Sequence, residues 1–388
     1  MPRLAEHILG MPGSGVRHIL EQALRLDDVI ILAVGEPGEE PAPAIREAAA
    51  RAWQAGETRY APNGGIPPLR RAIVEKLAAV NDVHVDVEQV WVTVGATQAL
   101  HQAMSLTLAP GDEVLVPDPG YTTFTMNAHM LSAVAVPYAL SPARGFQPDL
   151  SQLEALVTDR TRLLIVNSPS NPLGSTFEPE TIRALLDFAA RHDLWVLSDE
   201  CYEAFTYGIP HVSPASLDTD DRVFSVFSTS KTYAMTGARV GWLVTPKGFT
   251  QTMLRVQESA ISCVDMPAQY AALAAVSGPQ DAVRTAAVHY RDNLDAATRL
   301  LDERGFTYLT PTGAFYLWID LSHETAGDVA AWAERFLHEQ RVAVAPGSAF
   351  GRTGEGWIRV CVAANRDDLL EGLSRLPAPA SRPAQVTS

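Results

Sequence analysis

The sequence predicts an α/β fold, with a mostly parallel central sheet flanked by helices and a smaller α+β domain beside it. Three observations carry that expectation. Between Leu69 and Phe227, short apolar runs of strand length alternate with segments of helical periodicity. After Phe227 the alternation gives way to long helical stretches and a few isolated strands. The chain's 388 residues are enough for two compact domains and a substantial core.

Taken in order, residues 29–34 read as one buried strand, because all six are apolar. Further strands are expected at 90–94, 113–117, 162–166, 194–198 and 222–227, each a short run rich in Val, Leu, Ile or aromatic residues. Helical patterns fill most of the gaps, at 69–80, 97–108, 150–157 and 181–191. Strands joined through helices run parallel, so the sheet should be covered by helices on both faces. Beyond it, helices are expected at 266–277, 281–304 and 328–340, and strands at 314–320 and 357–362. This divides the chain into a large domain over 46–275 and a small domain built from 1–45 with 276–376. Residues 377–388, rich in Pro, Ala and Ser, are expected to fray.

Composition narrows the partners. Apolar content of 47% and charged content of 19% fit a globular enzyme. The formal charge of −15 repels phosphate backbones and anionic lipid surfaces, so neither nucleic acid nor a membrane is an expected partner. Residues 1–10 lack an apolar core of signal-peptide length, and no apolar run approaches a membrane span. The three cysteines, Cys201, Cys263 and Cys361, are far apart and odd in number, which suggests a reducing compartment and a cytoplasmic protein. Neither they nor the ten histidines show metal-site spacing, so no metal is expected.

Open α/β sheets bind ligands beyond the carboxyl ends of their strands. After Trp91-Val-Thr-Val94 comes Gly95-Ala96-Thr97, opening a helix. Leu163-Leu-Ile-Val166 is followed by Asn167-Ser-Pro-Ser-Asn171-Pro172. Trp195-Val-Leu197 leads into Ser198-Asp199-Glu200-Cys201-Tyr202, and the strand ending at Phe227 into Ser228-Thr229-Ser230-Lys231. Anion-binding, amide, carboxylate and amine groups are thereby delivered toward one sheet edge.

These residues resemble a known family. Gly35-Glu36-Pro37, Arg59-Tyr60-Ala61-Pro62, Gly95-Ala96-Thr97 and Asn167-Ser-Pro-Ser-Asn-Pro-Leu-Gly174 match, in order, the class I/II aminotransferases among the fold-type I pyridoxal-phosphate enzymes. Ser198-Asp-Glu-Cys-Tyr202, Ser228-Thr-Ser-Lys-Thr-Tyr-Ala-Met-Thr-Gly237, Arg239 and Arg359 extend the likeness, which runs from about Ser14 to Arg366. The resemblance implies pyridoxal 5'-phosphate as cofactor, amino acid and 2-oxo acid substrates, and a homodimer with shared active sites.

It also implies roles. Lys231 holds the cofactor as an imine and then carries the Cα proton; by composition alone it could be an ordinary surface lysine. Asp199, otherwise a turn carboxylate, pairs with the protonated pyridine nitrogen. Asn171 and Tyr202 donate to the phenolic oxygen, and Tyr121 stacks on the ring. Gly95, Ala96, Thr97, Ser228 and Arg239 take the phosphate, joined by Tyr60 from the neighbouring subunit. Arg359 grips the substrate α-carboxylate, which the Gly35 backbone and Asn171 also approach.

In one aspartate-specific branch of the family, a lysine that holds the distal carboxylate stands where this chain has Thr97. That points toward a neutral or aromatic amino donor. The same Lys, Asp and phosphate groups would also serve a pyridoxal-phosphate lyase, cyclase or oxidase. A sensor that keeps the fold without catalysis is disfavoured, because a likeness starting near Ser14 leaves no room ahead of it for a basic DNA-binding region.

Overall fold

The computed structural model describes residues 2–380, so the expected frayed tail lies outside the described residues from 381 onward. The strands are β1 (Ile30–Ile31), β2 (Val90–Val94), β3 (Glu113–Asp118), β4 (Val134–Ala139), β5 (Thr161–Asn167), β6 (Trp195–Asp199), β7 (Val223–Ser228) and β8 (Val240–Val244), followed by β9 (Tyr308–Leu309), β10 (Tyr316–Asp320), β11 (Val342–Ala343), β12 (Ala345–Pro346) and β13 (Trp357–Cys361). A seven-stranded sheet runs in the order β2-β8-β7-β6-β5-β3-β4. It is parallel throughout except for β8, which pairs antiparallel with both β2 and β7. A four-stranded antiparallel sheet, β12-β13-β10-β9, and the parallel pair β1-β11 complete the architecture.

The central strands are buried along their length because helices cover both faces of the sheet. On one face Ile73, Leu77, Val92, Phe227, Trp242 and Ala272 form a core. On the other, Leu197 and Phe224 belong to a larger core that also takes in Phe315 and, from the four-stranded sheet, Trp318 and Ile358. Among the described residues, no helix is long and apolar enough to cross a membrane.

Where sequence and structure differ, local chemistry explains it. The strand expected over 29–34 pairs only at Ile30–Ile31, and Ile31 is exposed rather than buried. The pairing stops because the next carbonyls are used elsewhere: Leu32 O accepts from Cys361 N, and Ala33 O accepts from the Arg359 guanidinium. Helices Pro67–Asn81 and Pro179–Arg191 begin earlier than their apolar pattern indicates, since proline is well placed in a first turn. The helix Pro43–Gln54, absent from the sequence reading, packs on the helix Met266–Ser277.

Candidate active site

Register brings the polar strand ends together. Asn167 lies opposite Asp199, Asp199 opposite Val226, Ser228 opposite Gly241, and Gly241 opposite Thr93. At this edge a cavity of about 680 Å³ is lined by Gly35, Ala96, Thr97, Tyr121, Asn171, Asp199, Tyr202, Ser228, Lys231, Arg239 and Arg359. Gly95 sits just beneath it. Tyr60 does not line it; its side chain stands 90% exposed elsewhere on the surface.

One pole of the cavity suits an anion. Ala96 and Thr97 stand in the first turn of the helix Gly95–Thr107, where backbone N–H groups are free to donate. Gly95 has φ +68°, and a Cβ there would fall 2.4 Å from Arg239 Nη2, so only glycine lets the guanidinium lie against this turn. Arg239 is held by a hydrogen bond from Nη1 to Thr236 O at 2.9 Å. Ser228 Oγ accepts from Ser230 N at 3.1 Å and lies 2.8 Å from Ser230 Oγ.

The opposite pole is a buried carboxylate. Asp199 is 4% exposed, and Oδ1 accepts from Cys201 N at 3.2 Å. Burial is the main cause pushing its carboxyl up from 3.8 to about 6, with neighbouring Glu200 adding to it; the Cys201 hydrogen bonds and Lys231 oppose the rise. Lys231 extends from the short turn after β7, and its Nζ donates to Gly35 O at 2.6 Å. Burial lowers the affinity of this amine for its proton, which favours the neutral, nucleophilic form. Gly35 has no alternative here, because a Cβ would meet Tyr316 Oη at 1.9 Å.

Between the poles, Tyr202 Oη lies 2.6 Å from Tyr316 Oη, and burial holds the Tyr202 phenol well above its ordinary range. Tyr121 lines the cavity edge-on to Phe124, with ring centroids 5.7 Å apart. On the far side β13 presents Arg359, only 3% exposed. Its Nη1 donates to Asn171 Oδ1 at 2.7 Å and its Nη2 to Ala33 O. The guanidinium stacks 4.4 Å from the Tyr316 centroid and 4.8 Å from that of Phe350. Its Nε is buried without a hydrogen-bond partner among the described residues, an orphaned donor suited to a carboxylate.

Several lining residues escaped the sequence reading. Tyr316 and Phe350 flank Arg359, Ser230 borders Ser228, and Val16, Arg17 and Leu20 come from the helix Gly15–Ala23 near the chain's start. Ser230 was within reach, being next to Lys231. The others are brought in by contacts between distant parts of the chain, which no local pattern announces.

The donor set fits a flat molecule with a phosphate at one end and a protonated ring nitrogen at the other, its reactive carbon facing Lys231. The comparisons agree with that chemistry. The family model for aminotransferases of class I and II matches residues 27–376. An aspartate aminotransferase of Pyrococcus horikoshii is 34% identical over 96% of this chain and 96% of its own length. An aromatic-amino-acid aminotransferase of Thermococcus litoralis is 33% identical, covering 94% of each chain. Among solved structures, the aspartate aminotransferase of Thermus thermophilus with maleate superposes with a TM-score of 0.92 at 34% identity, covering 97% of this chain and 99% of that one.

Proposed function

Because the chain belongs to the aminotransferases of class I and II, we propose that Lys231, Asp199 and Arg359 are the working groups of its active site. The protein is a pyridoxal 5'-phosphate-dependent transaminase that moves an amino group from an L-amino acid to a 2-oxo acid. The observation that carries the residue assignment is one cavity holding a buried carboxylate, a buried lysine amine and a buried arginine with an unpartnered donor.

When bound, the cofactor supplies an aldehyde for the amino group and an electron-withdrawing ring. Arg239, Ser228, Ser230 and the N–H groups of Ala96 and Thr97 hold its phosphate. Asp199 presents negative charge to the ring nitrogen, and that partner pulls the carboxyl back toward its ionised form. Tyr121, which lines the cavity, would lie against the ring. Asn171 spends Oδ1 on Arg359, which leaves Nδ2 to donate to the phenolic oxygen beside Tyr202 Oη. Arg359 binds the α-carboxylate and so aims the Cα–H bond. Lys231 takes the Cα proton and returns it to the product side.

The test is visible absorbance. Protein reconstituted with pyridoxal phosphate should be yellow, bleach with its amino donor, and regain colour with a 2-oxo acid. Bleaching with ammonia release and no recovery would move the chemistry to a lyase or oxidase.

The donor's side chain faces Val16, Leu20 and Met126, an apolar wall that supports a neutral or aromatic donor. Arg17 favours a second reading, a dicarboxylic donor. It lines the same cavity and forms no ion pair among the described residues, while Arg239 and Arg359 are already engaged. If it reads a distal carboxylate, Arg17→Ala should raise KM for aspartate and glutamate about 10- to 100-fold and leave aromatic donors within about twofold. Equal effects on both classes would remove the dicarboxylic reading.

The exposed Tyr60, together with Trp53 at 65% exposure, supports a homodimer in which Tyr60 serves the neighbouring phosphate site. Molar mass by light scattering tests it. We read the seven-stranded sheet as the core of the large domain, 46–275, and the four-stranded sheet as that of the small one; limited proteolysis near those boundaries tests the division. The three unpaired cysteines support a cytoplasmic location, to be checked by cell fractionation.

A further inference from the structure

Residues 199–203 leave β6 as a turn with the sequence Asp199-Glu200-Cys201-Tyr202-Glu203. Asp199 and Tyr202 line the cavity, whereas Glu200 and Glu203 do not. Both glutamates are nonetheless shielded from water: Glu200 is 0% exposed, and the Glu203 side chain 9%. Each is met by a basic side chain and a neutral donor. Glu200 Oε2 lies 2.9 Å from His211 Nε2, and Oε1 accepts from Ser213 Oγ at 3.1 Å. Glu203 Oε1 accepts from Lys76 Nζ, and Oε2 accepts from Asn81 Nδ2 at 2.5 Å. Lys76 in turn rests 4.9 Å from the Phe227 ring centroid and 5.8 Å from that of Trp242, on β7 and β8.

The turn needs such anchors. Sheet-type bonding ends where Glu200 N donates to Val226 O at 2.9 Å. Beyond it the backbone bonds are those of turns, Glu203 N to Glu200 O and Phe205 N to Tyr202 O, with Cys201 N turned back onto Asp199 Oδ1 and Phe205 O accepting from Ala314 N. A buried ion pair is a poor source of stability in itself, since apolar residues of similar volume often do as well or better. What charge and hydrogen bonding add here is direction, at a place where the backbone has lost its ladder.

We propose that Lys76–Glu203–Asn81 and His211–Glu200–Ser213 are positioning clusters for transamination. Held from behind at two points, the turn that follows Asp199 presents Tyr202 to the cofactor ring in one arrangement and fixes the strand end that carries Asp199. The inference rests on the assignment of those two residues to the ring. None of the rear residues touches the reacting atoms.

The test uses the holoenzyme of Lys76→Met/Glu203→Gln, which leaves no charge unpaired and keeps an acceptor for Asn81. Three readouts matter: the pH midpoint of the visible chromophore, the dissociation constant for pyridoxal phosphate of the cofactor-free protein, and kcat against KM. The double variant should melt within a few degrees of wild type, lose about tenfold in kcat at nearly unchanged KM, and shift the chromophore midpoint by about half a unit or more. Wild-type kcat and midpoint, with or without a lowered Tm, would mean that the pair is structural only and would overturn the proposal. Should that variant not fold, Glu200→Gln, which keeps its shape and can still accept from Ser213, is read in the same way. An unshifted midpoint and kcat there would be equally decisive. Failure of the Lys231 assignment looks different, because wild-type protein would then show no chromophore at all.

Discussion

Lys231→Ala should lower turnover with every amino donor by about 10⁴-fold, the upper range for loss of a positioned acid–base group. It is the lysine that lines the cavity, together with Asp199 and Arg239. Burial lowers its proton affinity, which favours the form able to attack a carbonyl carbon and to take a proton. Alanine supplies neither ability. The variant should also release pyridoxal phosphate on gel filtration under conditions where wild type retains it, because the covalent link is gone. The fold should persist, since removing a buried amine lifts a desolvation cost and gives up one hydrogen bond, to Gly35 O. Stopped-flow spectra and thermal melts of the same preparation check both halves. Turnover within tenfold of wild type would assign the proton transfer to another residue.

Asp199→Asn should separate activity from stability in opposite directions. Without negative charge facing the ring nitrogen, kcat should fall about 10²–10³-fold, as for loss of one preorganised electrostatic group. In the cofactor-free protein the same change should stabilise. There the carboxyl titrates at about 6 against an unfolded value of 3.8, so the folded state binds the proton more tightly. Such a group contributes stability that is complete below the unfolded value and is lost as pH rises through the folded one. The loss is of the order of 3 kcal/mol for a shift of about two units. Asparagine carries no charge to bury. Cofactor-free Asp199→Asn should therefore melt higher than cofactor-free wild type at pH 8, with the gap narrowing toward pH 4. A gap that is constant with pH would show that Asp199 is ionised at little cost even without its ring partner.

Much of this was legible in the sequence because it is local. Val90–Val94 and Met266–Ser277 are continuous apolar patterns, and their bounds can be read directly. Lys231, Asp199 and Asn171 stand beside strands that announce themselves, whereas Arg239 precedes β8, which the sequence reading did not include. β4 did not announce itself: Pro137 stands inside its apolar run, which argues against a strand in sequence but is tolerated at the sheet edge, where β4 lies. β8 was not read either, and its reversed direction could not have been, since an antiparallel and a parallel central strand share one apolar pattern. Tyr316 became a site residue because β10 pairs with β13, and Phe350 because it follows β12, which pairs with the other edge of β13; the two rings meet on Arg359. That information resides in tertiary contacts.

The helix Gly15–Ala23 has one more consequence. The residues we propose to break and make bonds stand at the edge of the seven-stranded sheet, where a change propagates into packed strands. Of those we propose to face the donor's side chain, Val16, Arg17 and Leu20 sit on nine residues outside every sheet. Diet and chemistry are thus inherited on separate pieces of the chain. A lineage can exchange one amino acid for another by rewriting that short segment, at little risk to the fold, while the reaction itself stays under the stricter selection that the sheet imposes.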